Sequence, residues 1–133
     1  MNKEEFIAAH FPEIDPGRYP LGNRILVQLL LIKKRVGSII LANDTQEFNK
    51  EATVVGRIIR VGDIAFRDRN SGSVWKEGAW ASPGDIVLLP KFTGINRVEV
   101  KLNEEESVIF ATYHDYDVVD KITSRFELYT NIL

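Results

Sequence analysis

Short runs of aliphatic and β-branched residues recur along this chain at strand length, and each ends in a turn former before a helical period is established. "RILVQLLLIKK" is bounded by Pro20 and Gly22-Asn23 before it and by Val36-Gly37 after it. "ATVVGRIIRVGD" follows, and its Gly56 marks either a bulge or a close backbone approach. "IAFRDRNSGSVWK" reads as a hairpin around Asn70-Ser71-Gly72, with Phe66 and Trp75 on its arms. Pro83-Gly84 turns the chain into "DIVLLP", "NRVEVKL" alternates cleanly, and "SVIFATY" and "DVVDKI" complete the set. About seven short strands separated by Gly, Pro and Asn turns predict an all-β domain, a small antiparallel barrel or sandwich. Ahead of them, Asn2 can cap a short helix carrying Glu4 and Glu5 in its first turn, stopped by Pro12 and Pro16-Gly17; a frayed terminus is the competing reading.

Composition narrows the function classes. At 133 residues, 44% apolar and 27% charged, the chain has the size and balance of one globular domain. Its net charge of −2 supplies no global basic field for nucleic acid or anionic membrane. With no cysteine, disulfides and thiolate metal sites are excluded, and a reducing, cytoplasmic setting is expected. The acidic start "MNKEEFIAAH" does not read as a targeting sequence. The longest apolar run, Ile25 to Ile32, is too short to span a bilayer, so no membrane role is expected.

Residues suited to catalysis do not assemble into a site on paper. "YHDYDVVD" sets His114 beside Asp115, Asp117 and Asp120, but neighbours on a strand point to opposite faces, so a solvated turn is the better reading. His10 has no role assigned. Ser38, Ser71 and Ser73 have no identifiable base partner, and no phosphate-cradling glycine loop is present. No enzyme activity, metal or cofactor is expected. In the hairpin, Arg67, Arg69, Trp75, Lys76 and Trp80 interleave cations with stacking surfaces, as single-strand binders do. Asp63, Asp68 and Glu77 dilute that field and leave nucleic acid as the lesser alternative.

One segment resists a structural period altogether: "RVGSIILANDTQEFNKEA", residues 35–52. A connection of this length inside a small β domain is either functional or disordered. It carries three large aliphatics, Ile39, Ile40 and Leu41, behind Gly37-Ser38 and ahead of a polar run. Burying the three side chains contributes roughly 5–9 kcal/mol. Ordering half a dozen loop residues costs on the order of 1 kcal/mol each. One arm alone is therefore a millimolar anchor at best. Several linked arms raise avidity by about 10²–10⁴ each, so the pattern argues for a symmetric oligomer gripping a symmetric partner.

At this point the sequence resembles the GroES-like co-chaperonins. "YPLGNRILV" (Tyr19 to Val27) is similar to that family's opening strand, with its Pro-Leu-x-x-Arg start and three apolar residues. "GSIIL" matches the mobile-loop tripeptide in kind and position. "GRIIRVG", "SPGDIVLLPKF" and "VIFATYHDYDVVDKI" resemble, in order, the strand after the loop, the Gly-Asp strand and the closing segment. The resemblance covers about Pro20 to Thr123, is weakest between Gly62 and Ala81 and is absent at both termini.

The resemblance implies a GroES-like β-barrel at 20–123, with a mobile loop at 35–52 and a roof-type hairpin at 63–81. An extension at 1–19 and a tail at 124–133 flank it. It implies a ring of seven that caps a GroEL-type chaperonin in its nucleotide-bound state and encloses an unfolded client protein. Gly37, Ser38, Ile39, Ile40 and Leu41 would bind the chaperonin, and Phe92 would face the cavity. Leu21 to Val27 of one subunit would pair with Val118 to Ile122 of the next. Ser38 stands where the family has a second glycine and stiffens the loop entry. The longer hairpin and the added termini point to a phage-encoded member acting in the host cytoplasm. A single-stranded nucleic-acid-binding barrel and a structural component of a virion are the alternatives.

Overall fold

The computed structural model describes residues 1–33 and 53–129, and for Ile32 and Lys33 it describes the backbone alone. The expected all-β class holds. Among the described residues seven strands form one antiparallel sheet: β1 (Arg24–Leu29), β2 (Ile32–Lys33), β3 (Thr53–Val61), β4 (Ile86–Pro90), β5 (Ile95–Lys101), β6 (Glu106–His114) and β7 (Asp120–Lys121). The ladder runs β2-β6-β1-β3-β4-β7, with β5 on the other edge of β6. One helix, α1 (Lys3–His10), precedes the sheet.

β1 and β2 are one strand with a kink. Gln28 faces Phe110 and Ile32 faces Ser107, so four steps along one chain match three along the other. The extra residue splits the long apolar run at Leu30-Leu31, both buried. β1 is flanked along its length, by β6 from Arg24 to Gln28 and by β3 from Ile25 to Leu29. Apolar clusters cover both of its faces, Ile25, Val27 and Leu29 in one and Leu26 in another, so "ILVQL" is buried without alternation. Pairing on both sides corrects one expectation: Arg24 to Val27 have no ladder edge left for a neighbouring subunit. A second bulge lies in β3. Leu26 pairs with Arg60 and Val27 with Ile58, leaving Ile59 as the additional residue.

Three apolar clusters of described residues hold the sheet. The largest joins Ile25, Val27 and Leu29 to Ile58, Val87, Leu89 and Tyr113, and extends to Phe66 and Ala81 of the hairpin. Gly56 approaches Val27 so closely that a Cβ would collide with its side chain, so close approach is what this glycine serves. On the second cluster sit both terminal segments. Phe6 and Phe11 pack with Leu30, Val55, Ile86, Ile122 and Phe126. Asn2 and Glu5 form a reciprocal capping box on α1, as the Asn2 cap expectation requires. The stretch 1–19, read from sequence as an extension, is thus part of the packed body at Phe6 and Phe11, and the tail is at Phe126. No helix among the described residues is long and apolar enough to cross a membrane.

Candidate functional site

The residues expected to bind a chaperonin, Gly37, Ser38, Ile39, Ile40 and Leu41, lie outside the described residues. The frame on either side of them is well defined. Lys33 pairs with Glu106 at the start of β6, and Thr53 pairs with Pro90 at the end of β4. The chain therefore leaves and rejoins the sheet at the end where β1 finishes. At the opposite end, the start of β1 meets the ends of β3 and β6, with Ile25 facing both Val61 and Tyr113. The hairpin 63–81 follows directly from that second end.

Phe92 occupies the turn between β4 and β5 and is 77% exposed. Its backbone setting is fixed on both sides. Thr93 Oγ1 donates to the Pro90 carbonyl at 3.4 Å, and Arg97 Nη2 donates to the Lys91 carbonyl at 2.8 Å. Gly94 lies against the Tyr113 ring, where a Cβ would come within 2.7 Å of the ring carbons. Burial pushes the Tyr113 hydroxyl above its usual pKa, partly opposed by Arg97. The Lys91 ammonium stands 5.7 Å from the Phe92 ring centre. A hydrogen-bonded turn thus displays one large apolar ring.

The turn that carries the His-Asp cluster is buried at Asp115 and Asp117, and not solvated as expected. Asp115 is 2% exposed and accepts from the Phe66 backbone at 2.8 Å, the Tyr116 backbone at 2.8 Å and Asn23 Nδ2 at 3.3 Å. Its own N–H returns to the Asn23 carbonyl. Asp117 caps the same turn through the His114 N–H at 2.9 Å. His114 stacks on Tyr116 with ring centroids 4.9 Å apart. Asp115 and Asp117 thus serve backbone amides of the turn and of the hairpin. Among the described residues no cluster of His, Cys, Asp and Glu could hold a metal ion.

The hairpin forms as expected, with Arg67 bridged to Val74 and Gly72 at φ 73° in the turn. Its aromatics face one another. Trp75 and Trp80 lie 4.8 Å apart, and Phe66 meets Trp75 edge-on at 5.8 Å. Arg67 donates to the Gly72 carbonyl and Trp80 Nε1 to Glu77. The rings pack edge-on and at a tilt, and Trp80 remains partly exposed.

Sequence reasoning missed Asp115 as the joint between sheet and hairpin. An acid just after a strand, next to a turn, was the available signal, but its burial follows only from where Phe66 and Asn23 come to lie. Searches against family models and against curated proteins find no match to this chain.

Proposed function

We propose that this chain is a co-chaperonin subunit: seven copies form a ring that caps a GroEL-type chaperonin in its nucleotide-bound state. Each copy engages the chaperonin through Ile39, Ile40 and Leu41, and the ring encloses an unfolded client protein. The observation that carries the reading is the position of the long connection. It departs between Lys33 and Thr53, at the end of the sheet away from the hairpin 63–81. A cap that grips below and closes above requires this separation of grip and roof.

Ring formation draws support from the edge strand. Among the described residues β7 pairs only with β4, through Val87 and Leu88, and exposed Val119 precedes it. This edge is short and charged, with apolar Val119 exposed beside it, and in the proposed ring a neighbouring copy covers it. The segment just ahead of β1 carries exposed Tyr19 and Leu21 as its counterpart. With Arg24 to Val27 enclosed in their own sheet, the ring contact is assigned to Tyr19–Leu21 against β7. Phe92 is then a candidate cavity residue, and the subunit performs no chemistry of its own.

Native mass spectrometry and ATP-dependent co-sedimentation with a GroEL-type chaperonin test the reading together. A heptamer that co-sediments only with nucleotide is expected. Ile40→Asp should abolish co-sedimentation and leave the ring mass unchanged, because an unpaired charge cannot enter an apolar groove. A stable monomer, or undiminished binding by the Ile40→Asp ring, overturns it.

A further inference from the structure

A cavity of about 460 Å³ lies between the segment 13–16, Gln28 of β1, Arg57 to Arg60 of β3 and the Pro83-Gly84 turn. It is large enough for a small ligand. The β3 bulge builds it. Arg57 pairs with Gln28 and Arg60 with Leu26, two positions of equal parity on β1, so the extra residue Ile59 brings both arginines to one face. In an unbroken strand they would lie on opposite faces.

The two guanidinium groups then differ. Arg60 is occupied: Nη1 donates to the Arg18 carbonyl at 2.8 Å and Nη2 to Asp15 at 3.3 Å. Arg57 makes no ion pair among the described residues, and its Nε is buried without a hydrogen-bond partner. Arg18, two residues along the chain from the cavity wall at Pro16, likewise has Nε and Nη2 buried without partners. Arg57 is half-buried, and a cation drawn partly out of water without a partner favours an anion beside it. Of the two carboxylates on the cavity wall, Asp15 is engaged by Arg60 and by the Gly17 N–H, and Glu13 is exposed to solvent. The two Nη nitrogens at the open end of the Arg57 guanidinium fit two oxygens of a phosphate or carboxylate.

We propose that this cavity is an oxyanion site in which Arg57 binds a phosphate or carboxylate group of a small ligand. The site does not depend on the chaperonin reading: the described residues that line it belong to the segment 13–16, β1, β3 and the Pro83-Gly84 turn.

The test follows the Arg57 Nε–Hε NMR signal of the full-length chain during titration with inorganic phosphate and, separately, sodium acetate, at ionic strength held constant with sodium chloride. A saturable shift with one of the two anions in the millimolar range or below is expected, and which anion saturates first identifies the ligand class. Arg57→Gln should remove the response of the neighbouring Ile58 and Gly84 amides with the remaining spectrum preserved. Arg57→Lys, which keeps the charge and loses the fork, should weaken half-saturation about tenfold. No saturable shift of the wild-type signal with either anion, or an equal shift with sodium chloride alone, overturns the proposal.

Discussion

Asp115 Oδ2 accepts the backbone N–H of Phe66 at 2.8 Å, joining residues 49 positions apart at the point where Phe66 adopts φ 60°. A bulky residue rarely enters the left-handed region, because its Cβ crowds the backbone. Here the aromatic ring is buried in the main cluster and the strained amide is held by a buried carboxylate. The same carboxylate fastens Asn23 at the entrance to β1. One side chain therefore ties the hairpin, the start of the central strand and the end of β6 together.

Asp115→Ala should leave the Phe66 amide buried without a partner and cost about 1–3 kcal/mol from that group alone. The thermal midpoint should fall by several degrees, and amide exchange in the hairpin 63–81 should rise more than in β1. Unchanged hairpin protection would show that Asp115 is not the tie.

Phe6 is fully buried and lies within 5.7 Å, ring to ring, of His10, Phe11 and Phe126. Phe6→Ala is expected to destabilise by about 3–5 kcal/mol, the usual cost of emptying an aromatic core position. Urea unfolding measures it. A loss below about 1 kcal/mol would mean that α1 packs too loosely to belong to the core.

Gly62 lies against the backbone of Gly22, and an added Cβ would collide with that carbonyl oxygen. Gly72, at φ 73°, has open space around it. Gly62→Ala should therefore destabilise by about 1–3 kcal/mol through overpacking against a backbone that cannot rotate away. Gly72→Ala should cost less, from its backbone conformation alone. Reversed magnitudes in denaturant melts would refute the close approach at Gly62.

Asp85 links three elements. It accepts from the Ser82 backbone at 2.9 Å, meets Lys3 of α1 at 3.4 Å and lies 3.9 Å from Lys121 of β7. Partial burial works to raise its pKa, but the Ser82 N–H, Lys3 and Lys121 together outweigh it and hold the carboxyl below the ordinary 3.8. A depressed folded-state value makes the contribution fully present above the unfolded value and lost as pH falls through the folded one. The stability difference between wild type and Asp85→Asn should thus be constant near neutrality and shrink below pH 3.8. A difference that grows on acidification would reverse the sign and refute the assignment.

Much of the sheet is legible in short patterns. "TVVGRIIRV", "IVLLP", "INRVEVK" and "ESVIFATYH" are strands with bounds close to those their turn formers suggest. The Asn2 cap, the hairpin turn at Gly72 and the brief final strand at Asp120 are similarly local. Each depends on a residue's preference for its own backbone, which neighbours in sequence are enough to decide.

The rest depends on which strand lies beside which. Nothing in "RILVQLLLIKK" announces that it kinks at Leu30-Leu31, or that Gln28 is buried with its amide donating to the Pro12 carbonyl. The bulge at Ile59, which sets Arg57 and Arg60 on one face, is a mismatch between two strands and exists only once they are paired. Burial of Asp115 likewise arises from donors 92 and 49 positions away. By itself the sequence settled the all-β class and the place of the turns, because local torsional preference and polarity suffice for those. Tertiary structure alone decided the register, the bulges and the partner of every buried polar group, since these follow from contacts between segments that no local pattern encodes.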